Sequence, residues 1–309
     1  MIREWTVRSR VTVAAVAAMA LLSAACGGGD PSTVEGPGDS GDTKSLPVPT
    51  FEAGTTMARI AEAGKLVVGT KFDQPGFGLK NPTTGQVEGF DVEIASLIAA
   101  AIFGGTPDEA MAKVEFVETV SKNREPFIET DKVDLVAATY TITDARKAVI
   151  DFAGPYFLAE QDLMVAADDN TIKAVEDLNG KKVCTVQGST SEKNVRAKAP
   201  QAEVVLFDVY SACAAALSDG RVVAVTTDSP ILAGLIKAPG GDRFKLVKNP
   251  FSEEPYGIGM KKGAAEWRSF LNDRLESIVE SGEWAEAFES TLGKIGLDTP
   301  EAPVVNRYP

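Results

Sequence analysis

Three observations predict an α/β fold. Short apolar runs that read as strands alternate with stretches of helical periodicity. Several of the helical stretches open on a Ser, Thr, Asp or Pro suited to a first turn. The 309 residues are enough for about two compact units of this kind.

Taken in order, Leu66-Val67-Val68-Gly69-Thr70 is a short apolar strand. Gly89-Phe90-Asp91 opens a helix, with Asp91 as its expected cap and Ile94, Ile98 and Ile102 on one face. Val114 to Val117 and Val133 to Ala138 read as strands, and Thr143 caps a short helix running to Ala148. Leu163 to Ala166 and Val183 to Val186 follow as strands. Ser189 and Glu192 are spaced as a capping box for the next helix. Val204 to Phe207 is a strand, Ser211 to Leu217 a helix, and Val222 to Thr226 a strand. Ser229-Pro230 starts a helix, and Phe244 to Val247 is a last short strand. Trp267, Leu271, Leu275, Ile278 and Val279 share a helical face that Gly282 ends. Residues 296–309 are Pro-rich and read as a frayed tail.

The chain contains no histidine. That excludes a Ser-His-Asp triad, a Cys-His pair, an H-E-x-x-H zinc site and a histidine pH switch. A net charge of −13 without a Lys/Arg-rich run argues against a nucleic-acid partner, since phosphates require clustered cations. Asp168-Asp169-Asn170 lacks the spacing of a calcium loop and reads as a solvated turn. No metal or other cofactor is called for by any motif.

Residues 1–25 have the pattern of an export signal. Arg3, Arg8 and Arg10 precede an apolar run from Val11 to Ala25, too short to span a bilayer. Leu22-Ser23-Ala24-Ala25-Cys26 resembles a bacterial lipobox, with Ser23 where Leu is commoner. The resemblance implies lipidation of Cys26 after cleavage, and hence an anchor at the extracytoplasmic face of the cell membrane. Residues 26–54 are the lipidated cysteine and a Gly/Pro/Ser/Asp-rich tether. Loss of the signal leaves 28 basic and 43 acidic side chains, net −15. The two remaining cysteines, Cys184 and Cys213, are expected to form a disulfide in an oxidising compartment.

The run Gly89-Phe90-Asp91-Val92-Glu93-Ile94, followed by Ile98-Ala99 and Ile102, is similar to the signature of bacterial extracellular solute-binding proteins of family 3, the polar amino-acid receptors of ABC transporters. Leu66 to Gly69, Thr139 to Arg146, Asp151-Phe152 with Pro155-Tyr156, Gly188-Ser189-Thr190 and Asp228-Ser229-Pro230 match in the same order. The resemblance covers about residues 55–295. It implies a periplasmic-binding-protein-like fold of type II, with two α/β lobes joined by a two-segment hinge. Lobe 1 is expected over 55–155 and 254–295, and lobe 2 over the insert 156–253.

Carried over residue by residue, the resemblance implies that Arg146 and Thr141, with Ser189 and Thr190, meet a ligand α-carboxylate. A planar guanidinium suits that task. Asp228 and the Thr139 carbonyl are expected at the ammonium. Arg146 can alternatively serve a surface ion pair with Asp144 or Asp151, Ser189 simple helix capping, and Asp228 a turn cap. Lys71 or Arg124 is placed near the ligand side chain, with a solvated surface charge as the alternative for each, and Phe77 or Phe90 against its methylenes or in the core. The segment Thr70 to Gly76 and the pair Asn123-Arg124 resemble acidic-amino-acid binders, with glutamate as the first candidate and aspartate, glutamine and asparagine behind it. A body at net −15 must capture such an anion with local cations. The expected partner is an ABC permease, and the expected state a monomer. A membrane sensor as partner, or a dehydratase-type enzyme on the same fold, are the alternatives.

Overall fold

The computed structural model describes residues 45–307. The export signal, Cys26 and most of the tether lie outside these residues. Two five-stranded sheets organise the chain, each with three parallel strands and two antiparallel additions. The first has the order Val114–Glu118, Leu66–Thr70, Leu135–Val136, Glu254–Met260, Asp151–Ala159. The second has the order Glu203–Phe207, Lys182–Val186, Ala224–Asp228, Gln161–Ala166, Phe244–Leu246. A small third sheet, Asp73–Gln74, Gly78–Lys80 and Val87–Glu88, lies between the first strand and its following helix.

The chain leaves the first sheet after Ala159 and enters the second at Gln161, then returns between Leu246 and Glu254. The strands Asp151–Ala159 and Glu254–Met260 pair with each other just before these crossings. Backbone bonds Phe251 N–H to Gln161 O (3.0 Å) and Val247 N–H to Leu163 O (2.9 Å) tie the return segment to the second sheet.

The helix Phe90–Phe103 is buried on nearly every face. It packs against the first strand and the helices Thr56–Ala63, Pro107–Met111, Ala265–Glu280 and Glu283–Thr291. That surrounding explains why its sequence, rich in Ile and Ala, has little polar stripe. An aromatic cluster fills the core beneath: Phe77 lies 5.5 Å from Phe157 and 5.8 Å from Tyr256, ring to ring, and Phe90 lies 5.7 Å from Trp284.

Most expected strands and helices are found within two residues of their sequence bounds; four details differ. Asp91 does not cap its helix. Gly89 is the cap residue, and the wholly buried Asp91 carboxylate instead accepts from Thr139 N–H (2.9 Å) and Tyr156 O–H (2.6 Å). The strand expected over Val133–Ala138 is only Leu135–Val136, and the chain turns soon after it, at Thr139 with φ 44°. The expected tether is docked at its end: Leu46 exchanges backbone bonds with Gly105, and Phe51 packs on Phe270. The expectation of a frayed tail is overturned up to residue 307. Asn306 N–H donates to Gly154 O (2.9 Å), Leu297, Ala302 and Val305 pack on the core, and Arg307 pairs with Asp273 and Glu276.

Candidate functional site

The parallel strands of both sheets end toward one seam, and open α/β sheets bind ligands outside such carboxyl ends. From the first sheet come Lys71 after Leu66–Thr70, Ser121 and Arg124 beyond Val114–Glu118, and Thr139 beyond Leu135–Val136. From the second come Ser189–Ser191 beyond Lys182–Val186, Tyr210 beyond Glu203–Phe207, and Asp228 at the end of its strand. A small polar cavity lies between them. Ser121, Arg124 and Thr139 form one wall. Ser189, Thr190, Ser191, Tyr210, Thr227, Asp228 and Ile231 form the other. Its volume is about 10 Å³, room for about one water molecule.

Asp228 is 3% exposed. Its Oδ2 accepts from the Tyr256 hydroxyl, which belongs to the first sheet. Its Oδ1 is buried and has no hydrogen-bond partner among the described residues. Burial, with the neighbouring Glu254, raises the carboxyl to about 7. Although Asp228 stands at the cap position of the helix Ser229–Lys237, its side chain makes no capping bond. The turn-cap alternative is therefore not what this side chain does.

Arg124 faces Asp228 across the cavity. Its Nη1 donates to the carbonyls of Ala138 and Thr139 (both 3.2 Å) and its Nε to that of Ser121 (3.3 Å). The guanidinium lies 4.2 Å from the Tyr140 ring centroid, a cation–π contact. Arg146 takes the same ring at 4.8 Å. Its donors reach protein acceptors: Nη1 to Thr141 O (2.7 Å), Nη2 to Gly188 O (3.2 Å) and Nε to Glu125 (3.2 Å). The alternative, a surface pair with Asp144 or Asp151, does not form; Asp144 pairs with Lys147 and Asp151 with Lys262. Burial and then Arg124 lower the Arg146 guanidinium to about 10.

Arg146 sits beside the cavity at the seam, where Thr141 Oγ and Thr190 Oγ approach to 3.4 Å. Four of the residues expected at a carboxylate are thus gathered: Arg146, Thr141, Ser189 and Thr190. Ser189 Oγ is itself occupied, accepting from Glu192 N–H (3.0 Å) and donating to Val186 O (2.8 Å). The return arm of the box differs, since Glu192 accepts from Gly188 N–H. Gly188 has φ 79°, and a Cβ there would lie 2.8 Å from the Lys122 Cα across the seam.

The Thr139 carbonyl meets Arg124, not an open space, and its hydroxyl donates to Gln74 Oε1 (3.0 Å). Lys71 is 3% exposed, with Nζ donating to Ser121 Oγ (2.9 Å). Burial and then repulsion from Arg124 lower its ammonium to about 7, against the pull of Asp73. Phe77 and Phe90 are 0% exposed in the aromatic core and do not line the cavity. Being large and apolar, they close the core beneath the seam. Cys184 and Cys213 form the expected disulfide, with Cα atoms 5.5 Å apart. It fastens the helix Tyr210–Ser218 to the second sheet.

Sequence reading missed Tyr256 and Glu254. Glu254 is 2% exposed and accepts from Thr141 Oγ (2.7 Å), Asn194 Nδ2 (2.9 Å) and Ser252 Oγ (2.7 Å) at the chain crossing. No local pattern marks either residue; only their partners from distant segments do.

A family model for bacterial extracellular solute-binding proteins, family 3, matches residues 66–294, which spans both sheets and the seam. The chain belongs to this family. Its relatives include the ABC transporter glutamine-binding protein GlnH of Bacillus subtilis (strain 168), 42% identical over 238 residues, 77% of this chain and 84% of the relative. The glutamate-binding protein GluB of Corynebacterium glutamicum is 39% identical over 241 residues, 75% of this chain and 80% of its own. Among solved structures, the ancestral amino acid-binding protein AncCDT-1, a precursor of cyclohexadienyl dehydratase, aligns with a TM-score of 0.69 at 33% identity. That match covers 77% of this chain and all of the other. The fold is accordingly the type II periplasmic-binding-protein-like fold. Among the described residues of this solute-binding protein, no helix is long and apolar enough to cross a membrane.

Proposed function

We propose that this solute-binding protein is a receptor for glutamate, with aspartate, glutamine and asparagine as weaker ligands, and that it delivers its ligand to an ABC permease. The observation that carries the reading is the unpaired, buried Asp228 Oδ1 in the wall of a cavity whose opposite wall holds Arg124. A buried carboxylate oxygen without a donor is costly, and an ammonium would supply three. In this reading Arg146, Thr141, Ser189 and Thr190 take the α-carboxylate, Arg146 giving up the Gly188 carbonyl as the seam widens. Arg124 and Lys71 then meet the distal carboxylate. Arg124 and Lys71, both buried at the seam, favour an acidic side chain over its amide.

The cavity is too small for an amino acid as it stands, so ligand entry requires the two sheets to part at the crossings near Glu160 and residues 247–253. Closure on the ligand makes contacts from both lobes and selects the closed form. Cys26 would hold this receptor at the outer face of the cell membrane. Two relatives named for glutamine and glutamate binding, and a structural relative named as amino acid-binding, support a binding role over an enzymatic one.

A thermal-shift screen of the twenty amino acids tests the reading, because a ligand raises the midpoint by mass action. Glutamate should give the largest rise. A rise with a basic or apolar amino acid and none with glutamate or glutamine would overturn it.

A further inference from the structure

We infer that the turn from Asp73 to Pro75 is a clasp that sets ligand affinity without touching the ligand. The inference rests on the closing receptor proposed above. The helix Tyr210–Ser218 begins after Val209, which provides no side-chain cap. The first backbone N–H groups of a helix need acceptors from outside it. Here the acceptor comes from 137 residues away: Asp73 Oδ2 takes Tyr210 N–H at 2.7 Å and Ser211 N–H at 3.2 Å. A carboxylate is the favoured partner for the positive end of a helix.

These bonds cross the seam. Asp73 is fixed on the first-sheet side, paired with Leu79 in the small sheet, while Gly76 O accepts from Phe90 N–H of the buried helix. The Tyr210 helix is fixed on the second-sheet side by the Cys184–Cys213 disulfide. A second contact lies two residues along. A Cβ built on Gly234, inside the helix Ser229–Lys237, would lie 2.2 Å from the Pro75 carbonyl oxygen. Only a glycine lets that helix backbone reach the turn. Gly234 is not in a left-handed conformation. Its side-chain-free surface is therefore explained by the approach of the other lobe and not by its own backbone.

Neither Asp73 nor Gly234 lines the cavity, but Tyr210, whose N–H Asp73 receives, does. When the lobes part, both contacts are lost: water takes the helix N–H groups and Gly234 faces solvent. They therefore stabilise the closed form alone, and their loss should act on ligand release more than on capture.

The test compares wild type, Asp73→Ala and Gly234→Ala. Stopped-flow and calorimetry with glutamate should show Asp73→Ala binding about tenfold more weakly, as loss of a helix cap implies. The change should lie in koff, with kon altered by less than about twofold. Gly234→Ala should keep its ligand-free fold, read as an unchanged circular dichroism spectrum, since alanine suits a helix interior. Small-angle X-ray scattering with saturating glutamate should nevertheless show it failing to compact as the wild type does. An unchanged koff in Asp73→Ala together with full compaction of Gly234→Ala would overturn the clasp. If the wild type binds neither glutamate nor glutamine, the receptor reading fails. The clasp is then judged by ligand-free scattering alone: a lower closed fraction in both variants supports it, and identical profiles overturn it.

Discussion

Tyr256 and Asp228 join the two sheets: the phenol, on a strand of the first, donates to the carboxylate that ends a strand of the second. The bond holds one oxygen of Asp228 and leaves the other at the cavity wall. Tyr256→Phe removes the sole hydrogen-bond donor that the described residues give to this carboxylate. A hydrogen bond to a charged group contributes about 1.5–3 kcal/mol, so glutamate should bind roughly 10- to 100-fold more weakly at neutral pH. Calorimetry checks this, and an unchanged Kd would detach Tyr256 from the site.

Asp228→Asn should abolish amino-acid binding and yet stabilise the ligand-free closed protein. The folded carboxyl is raised to about 7 by burial. A raised pKa contributes stability that is fully present below the unfolded value near 4 and lost as pH rises through about 7. The variant's advantage should therefore grow between those limits and reach a few kcal/mol above pH ~7. Urea unfolding across that range measures it. A variant less stable than wild type at about pH 8 would contradict the assignment.

Proton exchange on glutamate binding should change sign near neutrality. Below about pH 7 Asp228 holds a proton that an incoming ammonium displaces, so binding releases protons. Above about 7 the Lys71 amine is neutral, and an arriving distal carboxylate favours its charged form, so binding takes protons up. Titrations in buffers of different ionisation enthalpy at about pH 6 and about pH 8 read the sign directly. Glutamine, with no distal charge, should show a weaker uptake arm.

Phe77→Ala should cost about 3–5 kcal/mol of stability, as a buried aromatic does, because Phe77 meets Phe90, Phe157 and Tyr256 and no cavity wall. Denaturant unfolding gives the cost. A large drop in glutamate affinity with unchanged stability would instead return Phe77 to the ligand.

Reducing the Cys184–Cys213 bridge, which closes a separation of 29 residues, should cost about 3–4 kcal/mol in the chain-entropy model. Melting curves with and without reductant should separate by several degrees. Coincident curves would show that the second sheet holds its helix without the bridge.

The parts of the fold legible in sequence are those with local signals. Leu66–Thr70 is a short run with three β-branched residues, and Thr143 and Ser189 cap the helices they precede. The strands Asp151–Ala159 and Glu254–Met260 carry no strand signal of their own. Gly154, Pro155, Pro255, Gly257 and Gly259 erase any alternating pattern, and each strand exists by pairing with the other. That Arg146, Thr141, Thr190 and Asp228 gather at the candidate site was legible because they fall in contiguous motifs. Tyr256 was not, since its partner lies 28 residues away, and neither was the seam contact of Asp73, whose partner lies 137 residues away. Asp91 differs from its expected role because the helix starts earlier, with Gly89 as the cap, which turns Asp91 inward to Tyr156 and Thr139.

The most direct measurement is a crystal structure of the protein grown with glutamate. The account predicts glutamate between the two sheets, its ammonium within hydrogen-bond distance of Asp228 Oδ1, its α-carboxylate on Arg146 and its distal carboxylate toward Arg124 and Lys71. Glutamate bound outside this seam, or bound within it with Asp228 Oδ1 still lacking a donor, would contradict it.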